Sequence, residues 1–93
     1  MAAQIPFVGE AVYVRNLSNH DMQCFITKYT RGDDSWFPIS NDFQKWERTG
    51  WECVAFKNAA NTNRKGVYLN AAGKTTNITF RGFDQDLVIE TSE

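Results

Sequence analysis

The most apolar run in this 93-residue chain is Trp51-Glu-Cys-Val-Ala-Phe-Lys57, which is predicted to form the central strand of a β-sheet. Residues before it alternate with the period of two that is typical of a strand. In Met22–Tyr29, one predicted face carries Met22, Cys24 and Ile26, and the other carries Gln23, Phe25 and Thr27. The short run Trp36–Ile39 contains Pro38, which favours an edge strand.

Seven short strands separated by polar or glycine-bearing turns are predicted for the whole chain. They are Ala11–Arg15, Met22–Tyr29, Trp36–Ile39, Trp51–Lys57, Gly66–Asn70, Thr76–Arg81 and Leu87–Glu90. Between them, Asn41–Arg48 is predicted to hold a helical turn, with Asn41 as N-cap and Phe43 and Trp46 three residues apart. The pattern indicates an all-β fold, a small antiparallel β-sandwich that forms a single domain over residues 1–93.

The net charge and the apolar content of the chain indicate which partners and which cellular compartment to expect. The net charge of −1 provides no basic excess for nucleic acid, and no apolar run approaches the ~18 residues that span a bilayer. The N-terminus has neither the basic start nor the apolar stretch of a secretory signal, so a cytoplasmic protein without membrane insertion is expected. Cys24 and Cys53 both fall in predicted strands, and we expect two free thiols.

Two segments combine aromatic residues with polar groups suited to a sugar: Tyr29–Phe37 and Trp46–Asn58, followed by Arg64 and Tyr68. A galactose-like sugar can lay its C–H face on an aromatic ring while its hydroxyls bond to carboxylate, amide and guanidinium groups. Trp36 is the predicted stacking platform, and carboxylate acceptors give charge-assisted bonds. The other predicted sugar-binding residues are Asp33, Asp34, Arg48, Lys57, Asn58, Arg64 and Tyr68.

Structural interpretations of the same residues stay open from sequence. Trp36 could close the end of the sandwich, and Asn58 could be a turn residue. Arg48 could form a surface ion pair with Glu47, Glu52 or Asp42. Trp51, which begins the most apolar strand, is predicted to be a core residue. Trp46 could be a loop anchor, a second sugar platform or a dimer contact.

Catalysis and metal binding are not expected. His20 is the only histidine, so neither a zinc site nor a catalytic triad is indicated. Asp34 with Glu47 or Glu52 could supply a glycosidase pair, but a chain of this size leaves little material for a deep cleft. No cofactor is predicted.

Several motifs resemble a family of small mushroom fruiting-body lectins that bind α-galactosyl groups. They are Ile26–Tyr29, Asp34-Ser-Trp-Phe37, Trp46-Glu-Arg48, Gly50-Trp-Glu52, Val54–Asn58 and Arg64–Tyr68. The resemblance covers roughly residues 10 to 90. It implies a homodimeric lectin for terminal α-linked galactose, especially the Galα1-4Gal unit of globo-type glycans such as globotriose.

A fainter resemblance links Gly50–Tyr68 to the actinoporin-like sandwich, an architecture shared by mushroom lectins and pore-forming proteins. Pro6 breaks the N-terminal run Ile5–Gly9, so an amphipathic pore-forming helix is not expected. The alternative function is therefore a module that binds lipid headgroups, with aromatic rings around phosphocholine.

Overall fold

Two four-stranded sheets, A and B, form the fold in a computed structural model that describes residues 10–27, 35–48 and 50–92. The strands are β1 (Ala11–Asn16), β2 (Met22–Ile26), β3 (Phe37–Ile39), β4 (Gln44–Trp46), β5 (Trp51–Asn58), β6 (Arg64–Asn70), β7 (Thr75–Phe80) and β8 (Val88–Ser92). Sheet A has the order β4-β1-β7-β8, and sheet B has the order β3-β2-β5-β6. The predicted all-β sandwich is confirmed, with β5 inside sheet B and β3 at its edge.

Strand pairing is antiparallel except between β1 and β7, which run parallel from Ala11↔Thr75 to Asn16↔Phe80. In sheet B, β2 pairs with β5 (Cys24↔Phe56), and β5 pairs with β6 (Val54↔Val67). Sheet A is therefore mixed, and the sandwich is mostly rather than wholly antiparallel.

The helical turn predicted over Asn41–Arg48 is wrong, because Gln44–Trp46 forms β4, an eighth strand in the described chain. It pairs with β1 through Val12↔Trp46 and Val14↔Gln44. Gln44 also fixes the preceding turn: its Oε1 accepts from the Ser40 N–H at 2.8 Å, and its Nε2 donates to the Pro38 carbonyl at 3.2 Å. Tertiary pairing thus overrides the three-residue spacing of Phe43 and Trp46.

The core lies between the sheets, where alternate residues of each strand meet. Phe56 of β5 and Phe80 of β7 are both fully buried, and their rings stack across the two sheets with centroids 5.0 Å apart. The other core residues are Val12, Val14, Met22, Cys24, Ile26, Ile39, Trp46, Val54, Ala71 and Ile78. Burial of this kind supplies most of the free energy of folding for a small domain.

Both cysteines are free thiols, as predicted, and they lie on opposite faces of sheet B. Cys24 is in the core, where burial raises the pKa of its thiol from 9.0 to about 12 despite a contact with the Phe25 carbonyl. Cys53 is half-buried on the opposite face. Since the thiolate is the reactive form, Cys24 is expected to be inert in the native protein, which leaves Cys53 as the accessible thiol.

The two sheets differ on their outer faces. In sheet A, every residue of β7 is buried, including Asn77 and Thr79, which face away from the core. In sheet B, the outer face carries exposed aromatic side chains, among them Trp51 and Tyr68. The described residues contain no helix long and apolar enough to span a membrane.

Candidate ligand-binding face

The outer face of sheet B is the candidate site, and alternation along four strands decides which side chains it carries. Residues of β2 and β5 that face inward are buried, so their neighbours face outward. The outward set in the strands is Gln23, Phe25, Pro38, Trp51, Cys53, Ala55, Lys57, Arg64, Gly66, Tyr68 and Asn70. Its members include two cations and no carboxylate.

One end of this face holds a cation–aromatic cluster of Trp36, Phe25, Lys57 and Arg64. Trp36 precedes the inward-facing Phe37, so its indole lies on the outer side, where its centroid is 5.4 Å from that of Phe25. Lys57 Nζ lies 4.6 Å and Arg64 Cζ 5.5 Å from the indole centroid. Lys57 and Arg64 are directly opposite each other in the β5–β6 register.

The other end of the face holds a stacked aromatic pair. Trp51 and Tyr68 have ring centroids 5.2 Å apart and an interplanar angle of 28°. Trp51 is 53% exposed and Tyr68 is 66% exposed, so the two stacked rings form a contiguous exposed apolar patch. The pair presents an apolar surface to solvent together with a phenol hydroxyl and an indole N–H.

Small residues form the floor between the cluster and the pair. Ala55 is opposite Gly66, and Cys53 is opposite Tyr68 in the next outward position of β5. Outward positions repeat at about 7 Å along a strand, so these small residues leave a gap between the cluster around Trp36 and the Trp51–Tyr68 pair. The two aromatic groups form the walls on either side of this floor. A Cβ at Gly66 would lie 3.1 Å from the Val54 carbonyl oxygen, so glycine keeps the floor low. We refer to this surface, with its walls and floor, as the aromatic trough.

The structure brings together four of the eight predicted sugar-binding residues. Trp36, Lys57 and Arg64 are in contact, and Tyr68 lies on the same face. Asp33 and Asp34 lie outside the described residues. Arg48 and Asn58 take other positions.

Arg48 lies in the interior and not on the outer face of sheet B, whereas sequence predicted a sugar contact and left a surface ion pair open. It is 6% exposed. Its guanidinium donates from Nε to the Thr27 carbonyl (2.9 Å), from Nη1 to the Glu47 carbonyl (2.9 Å) and from Nη2 to the Ile26 carbonyl (3.3 Å). These hydrogen bonds join the end of β2 to the segment that follows β4.

Replacement of Arg48 by methionine is expected to lower the free energy of unfolding by about 2–3 kcal/mol, because buried carbonyl groups lose their donors. The matched control is Arg64→Met, where the side chain is exposed and the change should stay within about 0.5 kcal/mol. Urea unfolding measures both. Equal stability of Arg48→Met and the native protein would contradict the structural role.

Asn58 organises the β5–β6 turn and faces the inner side of sheet B, opposite Met22. Its Oδ1 accepts from the N–H groups of Thr62 and Asn63, and its Nδ2 donates to Thr62 Oγ1 at 2.8 Å. It thus matches the turn residue that sequence left open. It also lines a separate depression of about 370 Å³ with His20, Asp21, Asn63 and Phe83 among the other residues. Because its amide is already engaged, we leave Asn58 out of the site.

The prediction for Trp51 is wrong, and the position of Trp46, which sequence left open, is in the core. Trp51, predicted in the core, is exposed in the trough, whereas Trp46 is 8% exposed and packs edge-on against Phe37, with centroids 6.3 Å apart. Sequence analysis also missed Phe25 as a site residue. The alternation of β2 was a usable signal, since it places Phe25 on the face opposite Cys24.

Comparisons with known proteins identify no relative: no protein-family model, no curated protein and no solved structure matches this chain. Among the described residues, no group of three or more histidine, cysteine, aspartate or glutamate side chains could hold a metal ion. The aromatic trough is therefore the feature from which we infer a function.

Proposed function

We propose that this protein is a lectin that binds terminal α-galactosyl glycans in the aromatic trough. The observation that carries the proposal is the exposed Trp51–Tyr68 stack on the same face of sheet B as Trp36, Lys57 and Arg64. Sugar rings have an apolar C–H face that fits an exposed aromatic ring, and their hydroxyl oxygens accept from ammonium and guanidinium donors. The preference for α-linked galactose, including Galα1-4Gal, rests on the family resemblance of the sequence.

Binding rather than catalysis is the activity that this geometry supports. Glycosidases place two carboxyl groups across the scissile bond. The outward residues of the four strands of sheet B include none. The trough is also an open surface, so a single site is expected to bind weakly, with a dissociation constant of about 10⁻³–10⁻⁵ M.

A homodimer would convert weak sites into useful avidity. Two sites that engage one surface together raise the apparent affinity by about 10²–10⁴-fold. We therefore propose that the lectin is a homodimer. We also propose a cytoplasmic location and, as the target, the α-galactosylated glycolipids of a cell surface. Sedimentation velocity would measure the oligomeric state.

The choline cation of the alternative ligand, phosphocholine, is disfavoured at Trp36 on electrostatic grounds. A choline cation would have to approach an indole that already has Lys57 and Arg64 over it, and like charges at that distance repel. No described Lys or Arg side chain lies over the Trp51–Tyr68 pair, so a lipid arm belongs in the test.

The test is calorimetric titration with Galα1-4Gal in the presence of EDTA, with lactose as the β-linked control. Saturable heat with the α-linked disaccharide alone is the expected result. Heat with neither sugar, and binding to phosphatidylcholine liposomes that free galactosides do not block, would replace the lectin with a lipid reader.

Cys53 provides a way to locate the site in the same experiment. Its half-buried thiol lies in the floor of the trough, opposite Tyr68, whereas Cys24 is fully buried. Bound Galα1-4Gal is expected to slow alkylation of Cys53, measured by mass spectrometry at pH 8, and lactose is not. Saturable binding without protection of Cys53 would place the sugar elsewhere on the molecule.

A further inference from the structure

We propose that the ligand carries an anionic group, a sulfate or a carboxylate on the galactose-type ring, and that Lys57 and Arg64 bind it. The inference rests on the proposed sugar-binding function and adds the chemical class of the sugar. It comes from the charges on the aromatic trough, which the recognition of a neutral galactose does not require.

The first observation is that the register places two cations side by side. Lys57 and Arg64 are directly opposite in the β5–β6 pairing, and their charged groups lie 4.6 and 5.5 Å from the same indole centroid. Like charges directly opposite on a sheet destabilise the pairing. The negative face of the indole offsets part of that repulsion, and a bound anion would remove more of it.

The second observation is that, among the residues that the structure describes, none at this end of the trough carries a carboxylate that could neutralise the pair. The outward neighbours in the same row are Gln23 and Pro38, and those in the next row are Phe25, Ala55 and Gly66. Arg64 Nη2 donates to a neutral group, Asn61 Oδ1, at 2.8 Å. Although the net charge of the chain is −1, the described residues of this face carry two positive charges, those of Lys57 and Arg64. Such a local excess of positive charge attracts anions.

The geometry also suits an anion attached to a sugar better than a free anion. Lys57 contributes a compact ammonium, and Arg64 contributes a planar guanidinium that can form two parallel bonds to a sulfate or carboxylate. The exposed Trp51–Tyr68 pair lies about 13 Å further along β6, four residues from Arg64 to Tyr68, which leaves room for a ring between an anion and the stack.

The experiment compares matched sugars by calorimetry: methyl α-galactoside, its 6-sulfate and the corresponding methyl α-galacturonide, with inorganic sulfate as competitor. At least one acidic sugar is expected to bind about tenfold more tightly than the neutral one, and the two acidic arms identify the preferred anion. Raising NaCl from 50 to 500 mM should remove that advantage and leave the neutral sugar unchanged, since salt screens exposed charges.

Variants assign the effect to the two cations. Lys57→Gln with Arg64→Gln is expected to abolish the preference. The control, Lys45→Gln with Arg81→Gln, makes the same change in net charge at exposed positions outside sheet B and should keep the preference. Circular dichroism and a thermal melt confirm that each double variant is folded.

The outcomes separate the two proposals. Equal or weaker binding of both acidic sugars, with the neutral sugar bound, would overturn the anionic ligand and leave the lectin standing. Inorganic sulfate that competes as well as the sulfated sugar would also overturn it, because the site would then bind the anion alone. Binding of none of the three sugars, nor of Galα1-4Gal, would overturn both.

Discussion

Replacement of Phe56 by alanine is expected to destabilise the protein by about 3–5 kcal/mol. Phe56 is fully buried in the central strand of sheet B, and its ring stacks on Phe80 of sheet A. A domain of this size has a total stability of about 5–14 kcal/mol. The variant therefore loses roughly a fifth or more of the free energy of unfolding.

The expected size follows from what a truncation leaves behind. Removing a phenyl ring forfeits the transfer free energy of the apolar surface and opens a cavity, since close-packed neighbours relax only in part. Val54 and Ile26 are paired within sheet B and cannot shift far without breaking that register. A thermal melt should show a fall of more than about 12 °C.

Two controls make the result specific. Phe56→Leu keeps most of the buried volume and should lose less than half as much as the alanine variant. Tyr68→Ala, in the neighbouring strand, removes a similar ring that is 66% exposed and should change stability by about 1 kcal/mol or less. A loss below about 1 kcal/mol for Phe56→Ala would contradict the stacked contact between the sheets.

Local patterns were sufficient for most of the strands, because alternation reports which residues a sheet buries. Val12 and Val14 of β1, and Cys24 and Ile26 of β2, face the core as their spacing predicts. The parallel pairing of β1 with β7 could not be predicted in the same way. It joins residues more than 60 positions apart, so it depends on how the whole chain packs.

The misplaced tryptophan has a physical cause in Glu52. This carboxylate is 3% exposed and faces inward, where the Thr27 hydroxyl donates to its Oε1 at 2.7 Å. An inward-facing glutamate makes the exposed face of β5 hard to predict from sequence, because charged residues in a strand normally lie on the solvent side. Trp51, one residue earlier, is therefore predicted to be a core residue, although it lies in the trough.

The candidate site was only half visible in the sequence because it depends on register. Lys57 and Arg64 are seven residues apart, and the turn between them decides whether they meet. Asn58 accepts two backbone N–H groups in that turn, and Asn61 adopts a positive φ of 60°. Each is a common turn residue, but only the folded turn shows that the two cations become direct neighbours over Trp36.

Removal of the exposed aromatic pair is expected to have the largest effect on ligand binding. Trp51→Ala and Tyr68→Ala should each weaken binding of Galα1-4Gal by at least about tenfold, because tryptophan and tyrosine anchors in recognition sites commonly contribute about 2 kcal/mol. The structure makes this a clean measurement, since both rings lie on the solvent side of sheet B. Their loss removes ligand contacts and little of the core.

Tyr68→Phe distinguishes the ring from the hydroxyl. If the sugar stacks on the pair, the phenylalanine variant keeps most of the affinity; a loss as large as that of Tyr68→Ala would assign the contact to a hydrogen bond from the phenol instead. Val88→Ala and Ile89→Ala are the matched controls, since these side chains are 39% and 40% exposed on β8 of sheet A. They remove exposed apolar surface far from the trough, so binding should not change.

The same series decides whether the trough or another surface binds the sugar. Full affinity in Trp51→Ala and Tyr68→Ala, with a loss on substitution at Asp21 or Phe83, would move the site to the depression beside the β5–β6 turn. A loss confined to the two aromatic variants would instead support the trough, because these variants remove the stacking surface of Trp51 and Tyr68. Calorimetry on variants whose melting temperatures are unchanged shows directly which surface binds the sugar.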